Sequence, residues 1–536
     1  MPLVKDRKAW VMSVLVLAIL PPAPSAFAAT RTLRVALQSE IISLDSQSVR
    51  DTLTSEFLSN IMEPLVRFNE SLEVEPALAV RWERPTPTRW RFFLRRGVSF
   101  SNGNPFSAAD VMFSFRRGSN PASPFHGELA GVKRIIGVDD YTVEFETAQP
   151  FPQLLRHLPA LLIFDEEWTT MHGAAAPYNA LTGAGNYLAS HVLGTGAFLM
   201  SSFHQSGVSE LEANPNWWDR QNRKHNLDRV LLQAIRSDST RLAALLSGQV
   251  DLIFPCPLPG VARARQSPDI QVLERPSLRT LMLGINLRDR PLAASGVTAP
   301  GPNPLRDLRV RRALYQAIDV NAIVSKILLG HAQPASVLMA RGIDGYDGRL
   351  DGRLLPYDPE ASKRLLAQAG YPEGFSAGLE CPNDRFPNDE ALCTSLAAMF
   401  ARVGVKISLN TRTKARYLQE ILSGRADLFL LGWAASESLN AESFLRQIMH
   451  SPSPLMGYFN PGSYSNPRVD ELTGLTLREA DPQKRRDFIF EAFRIHKEEI
   501  GHIPLVTLNL VCAARRNVDF TPAPVDGLWL RYIRIR

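Results

Sequence analysis

The stretch TRWRFFLRRGVSFSNGNPFSAADVMFSF, Thr88 to Phe115, holds two periodicities in succession. From Thr88 to Arg96, Trp90, Phe92 and Leu94 fall on one face and the arginines mostly on the other, the period of a half-buried strand. At Ser107 the pattern changes, and Ala108-Ala109-Asp110-Val111-Met112-Phe113 predicts a helix. The same alternation recurs outward from here. Thr142–Glu146 reads as a strand, and Ser239–Ser247 as a short helix running into a strand at Val250–Phe254. Strands interleaved with helices, not segregated from them, predict an α/β architecture.

The chain changes character after Asn286. Asp307 and Asp319 are placed to cap two successive helices. Asp358-Pro359-Glu360 opens another, which Gly370 closes. Leu392, Leu396, Met399, Phe400 and Val403 form an apolar helical stripe, and strands are expected at Lys406–Asn410 and Asp427–Leu431. Residues 286–504 therefore read as a second α/β lobe, as a chain too long for one core requires. The last thirty residues return to strand and loop.

The N-terminus reads as an address. Lys5, Arg7 and Lys8 precede an apolar run from Ala9 to Leu20 and a small-residue end, Ala26-Phe27-Ala28, the layout of a cleavable secretory signal over 1–28. No cysteine precedes Cys256, so a lipid anchor is not expected and the mature protein should be free in the periplasm. Losing the signal lowers the formal charge of +6 by two. No basic run with interleaved aromatics suggests nucleic acid, and Arg309–Arg312 reads as a solvated helix face. Cys381 and Cys393 frame a short loop in an oxidising compartment; their spacing allows a disulfide and leaves the pairing open.

Catalytic signatures are absent: there is no G-x-S-x-G, H-E-x-x-H, Walker loop or G-x-G-x-x-G. His496 and His502 have the wrong spacing for a helical metal pair and read as surface residues at a helix end. Neither cofactor nor metal is expected, nor an enzyme.

The segments EPLVRF (63–68), LEVEPALAVRW (72–82), the opening stretch 88–115, GTGAF (194–198), NPNWWD (214–219), SDSTRLAALLSGQVDL (237–252), DLRVRRALYQAID (307–319) and YDPEASKRLLAQAGYP (357–372) come in one order along the chain. Together they resemble the extracytoplasmic solute-binding proteins of the peptide, opine and nickel class, which feed ABC importers. The resemblance implies a two-lobed periplasmic binding protein with mixed sheets. Lobe I would span 29–285, with an extra subdomain inserted near 70–190; lobe II would span 286–504, and 505–536 would return to lobe I. Hinges would lie near Gly284-Ile285-Asn286 and His502-Ile503-Pro504. A monomer capturing a short peptide or related small organic anion, and handing it to an inner-membrane permease and ATPase complex, is the implied role. A secreted hydrolase on this scaffold, or a sensor or chaperone docking on a receptor, is the alternative.

The same resemblance assigns candidate ligand contacts. Arg385, in CPNDRF, resembles the arginine that grips a free carboxylate; a guanidinium fork does so with two parallel bonds. Trp433 leaves an apolar strand through Gly432 and should wall the cleft. Peptide binders carry an aspartate for the α-ammonium just beyond; here Ser436 stands in that place, with Glu437 next. Arg50, where peptide binders can carry an acid, Phe125 in ASPF and Met282 before the hinge complete the candidates. Asp51 could simply neutralise Arg50.

Overall fold

The computed structural model describes residues 30–127, 131–181, 183–293, 302–435, 438–523 and 525–536. The proposed signal over 1–28 and the candidates Ser436 and Glu437 lie outside them. Within them runs an eleven-stranded sheet whose middle is two long antiparallel strands, Ile270–Ile285 and His502–Arg515. On one side follow Leu252–Phe254, Thr32–Leu37, Arg229–Ala234, Val208–Ala213 and Phe198–Ser202; on the other, Leu428–Trp433, Ser376–Pro382 and Lys406–Arg412. Thr32–Leu37 is parallel to both its neighbours, and Ser376–Pro382 to both of its own. The first flank falls within residues 29–285 and the second within 286–504, called the first and second lobes.

The long strands serve both lobes in turn. Ile270 to Pro276 pair with Arg515 to Asn509, where Ala513 and Ala514 also meet Leu252–Phe254 of the first lobe. Thr280 to Ile285 pair on their other edge with Trp433 to Leu428 of the second, while Thr280 to Gly284 stay paired with Thr507 to His502. Between them the register shifts from Pro276 to Thr280, and proline has no N–H to donate to the ladder. This irregularity in the ladder lies upstream of Gly284-Ile285-Asn286.

The opening stretch folds as its periods dictate. Arg89–Leu94 buries Trp90, Phe92 and Leu94 and sits inside a four-stranded antiparallel sheet with Ala79–Thr86, Thr142–Thr147 and Val132–Asp139. Ser107 caps the helix Ala108–Gly118 in a reciprocal box with Asp110, and this helix sends Phe115 edge-on to Phe145, which meets Phe92 at 5.1 Å. The predicted caps Asp307, Asp319 and Asp358 each accept a backbone N–H at their helix starts.

Two surface expectations are corrected. Arg311 is buried, donating to the carbonyls of Leu305, Arg306 and Glu499; a helix terminus left its carbonyls to be satisfied from a neighbour. His496 and His502 are likewise interior, their Nε2 and Nδ1 3.1 Å apart. Burial pushes His502 down to about 4 and His496 well below the usual histidine range, the latter also repelled by His502 and Arg311.

Candidate functional site

The parallel strands Ser376–Pro382 and Lys406–Arg412 end side by side, and the chain beyond each end carries a cation. In sheets of this kind ligands gather at the carboxyl ends of the strands. After the first comes Arg385; after the second, Lys414, at the start of the helix Lys414–Leu422. Both line a cleft of about 720 Å³, measured out to its open mouth, whose other walls include Asp51 and Phe254 from the first lobe.

The loop that presents Arg385 is held at several points. A disulfide joins Cys381, on the strand, to Cys393, on the helix Asp389–Ala401, with Cα atoms 6.4 Å apart. Asp389 Oδ2 accepts the backbone N–H groups of Arg385 and Phe386, each at 3.0 Å. Gln38 of the first lobe donates to the Phe386 carbonyl at 3.3 Å. Phe386 in turn lies over Gly432, where any Cβ would fall 2.6 Å from its ring; the Gly of the Gly-Trp pair exists to let that ring down.

Arg385 keeps a little surface toward the cleft, while its Nη1 is buried without a hydrogen-bond partner among the described residues. Burial pulls the guanidinium below the usual arginine range, against the attraction of Tyr417 and Asp51. Arg279, a second buried arginine of the cleft, is occupied: Nε donates to Asp526 at 2.5 Å. Arg385 is therefore the cation with hydrogen-bonding capacity to offer an anion.

Asp51 does not neutralise Arg50. Its carboxylate takes Lys414 Nζ at 3.0 Å, an ion pair between the lobes with both side chains 5% exposed. Burial alone would raise Asp51, but Lys414 and Arg385 together hold it below the ordinary carboxylate range. A second interlobe pair, His157 to Glu442 at 3.1 Å, is buried as deeply.

Three of the predicted residues meet. The Arg50 guanidinium carbon lies 5.3 Å from the Phe125 ring centre and 5.7 Å from that of Trp433, so a first-lobe cation is held between an aromatic of its own lobe and one of the other. Trp433 Nε1 donates to Ser443 at 2.9 Å, which fixes the ring. Met282 joins neither group. It is fully buried opposite Leu431, in the core shared by Leu431 and Phe429, and has no surface to offer a ligand; its place on the strand faces the inside of the second lobe. Lys414, Asp51 and Arg279 were missed, although the strand-end position of Lys414 signals the cleft as plainly as that of Arg385. Among the described residues no cluster of three or more metal-ligating side chains occurs, and no helix is long and apolar enough to cross a membrane.

Residues 73–454 match the family described as bacterial extracellular solute-binding proteins, family 5 Middle. The chain is 26% identical over 513 residues to the glutathione-binding protein GsiB of Salmonella typhimurium, covering 94% of this chain and 92% of that one. Among solved structures it resembles the Helicobacter pylori periplasmic binding protein DppA in complex with the peptide STSA, at 24% identity and a TM-score of 0.80 over 94% of this chain and 98% of that one. AgaA of A. tumefaciens R10, in complex with agropinic acid, superposes with a TM-score of 0.82 at 21% identity, over 94% and 99% of the two chains.

Proposed function

This chain belongs to the bacterial extracellular solute-binding proteins, family 5, and from that premise we propose that it is the periplasmic capture component of an ABC importer for short peptides or related small organic anions. The signal over 1–28 directs it across the inner membrane and is removed. The first lobe comprises 29–285 with its inserted subdomain near 70–190, the second 286–504, and the tail 505–536 rejoins the first. Ligand enters between the lobes, which close on it and dock on a permease; nothing is converted.

One observation carries the reading: the partnerless Nη1 of Arg385, buried at the wall of the interlobe cleft. A buried cationic donor is costly until an acceptor reaches it, and a ligand carboxylate supplies one bidentately. GsiB is a glutathione-binding protein, and DppA and AgaA hold the peptide STSA and agropinic acid, all of which fit that chemistry. Because Ser436 stands where peptide binders place an aspartate, acidic or N-modified ligands are favoured over ordinary free-amino peptides.

Calorimetric titration with matched free and N-acetylated dipeptides tests both halves of this. The acetylated member should bind at least as well as the free one, and Arg385→Gln should weaken either by about ten- to a hundredfold. A strong preference for the free amine that survives Glu437→Gln would refute the ligand class. Unchanged affinity in Arg385→Gln would remove the arginine from the site.

A further inference from the structure

A chamber in the first lobe, apart from the Arg385 cleft, holds about 860 Å³ out to its mouth. The two share no lining residue: the cleft takes Asp51, Thr52 and Leu53, while the chamber takes Ser55 and Glu56 further along the helix Thr52–Leu58. Its lining includes four aromatic residues, Phe68, Phe125, Trp217 and Trp529.

Two polar side chains of this chamber are more than nine-tenths buried, and each keeps one atom without a hydrogen-bond partner among the described residues. Arg531, 9% exposed, has its guanidinium carbon 4.8 Å from the ring centres of both Trp529 and Tyr532. Nη2 donates to the Phe68 carbonyl at 3.4 Å. Its Nε has no hydrogen-bond partner, and no carboxylate pairs with it among the described residues. Ser46, 5% exposed, likewise keeps a buried Oγ with no partner among them. The chamber's acids are engaged elsewhere: Glu63 accepts from Thr195, Trp217 and Trp218 and pairs with Arg67, and Glu56 accepts from Trp529.

We propose that this chamber is a second binding site, for a small carboxylate with an aromatic body, its oxygens meeting Arg531 Nε and Ser46 Oγ and its ring lying among the four aromatics. The cation is stacked and so fixed in orientation, and a charged acceptor satisfies a buried guanidinium better than a neutral one. All the lining residues belong to the first lobe and the returning tail.

The probes are 3-phenylpropionate and its amide, equal in shape and different in charge. They are titrated into the mature chain carrying Arg385→Gln, in which the cleft has lost its carboxylate grip, and followed by calorimetry and by the fluorescence of Trp217 and Trp529. The acid should bind saturably and the amide on the order of tenfold more weakly. Arg531→Gln should erase that preference and Arg531→Lys keep part of it. Ser46→Leu puts a larger apolar side chain in the chamber wall and decides the matter should Arg531→Gln fail to fold: it should abolish acid binding. No binding of the acid, equal binding of acid and amide, or acid binding untouched by Ser46→Leu overturns the proposal. Since the test runs without Arg385, a failure of peptide capture in the cleft bears on the importer reading alone.

Discussion

Asp389 holds the Arg385 loop from below with a carboxyl that burial raises to about 7, against three backbone N–H groups that favour its charge. The unfolded chain releases this proton near the ordinary 3.8. Between those values the folded state binds more protons than the unfolded one, so stability falls as pH rises through the window and levels off above it. Asp389→Asn keeps an acceptor and removes the titration. Wild-type melting temperature should therefore drop relative to Asp389→Asn by a few degrees between about pH 4 and pH 7; parallel pH profiles would show that the group does not titrate there. At this scale the sequence disclosed residues whose surroundings are local. Trp433 follows from a strand with a readable end, and Arg385 from the family resemblance. Asp51 and Lys414 did not show themselves as a pair, because they are brought together across hundreds of residues. His496 and His502 were misread because polar side chains near a helix end are ordinarily solvated, and here the two stack on each other and Tyr464 covers His496.

Among elements, the loop from Cys381 to Cys393 concentrates the most consequence in the fewest residues. Its bridge spans a sequence separation of 12, and closing a loop of that order stabilises by about 3 kcal/mol through the unfolded chain. Cys381→Ser with Cys393→Ser, or a dithiol added to the wild type, should lower the denaturation free energy by about that amount and weaken carboxylate binding with it. Coincident urea curves before and after reduction would show that the loop is fixed by Asp389 and Phe386 without help. Helices and strands were legible wherever their signals are short-range, as at Ser107, Asp307 and Asp358. The register shift after Pro276 was not, since it depends on which residues of 502–515 stand opposite.

For the molecule as a whole, the buried contacts between lobes set how firmly it stays shut. Lys414 with Asp51 is the clearest, since removing one partner of a buried pair strands the other at about 3–5 kcal/mol. Opening returns Asp51 to water, so Lys414→Met should favour open forms. Small-angle scattering of the unliganded protein should then show a larger radius of gyration than the wild type. Adding Asp51→Asn to Lys414→Met should restore compactness; an unaltered radius in the single variant would leave closure to other contacts.

The unladdered step from Pro276 to Thr280 has a mechanical corollary. Ser277 to Arg279 stand outside the register of the facing strand, so the spine yields there more readily than along its laddered runs. The tempo of opening is then left to a few side-chain latches on the rim, which evolution can retune one substitution at a time while the backbone joint stays as it is.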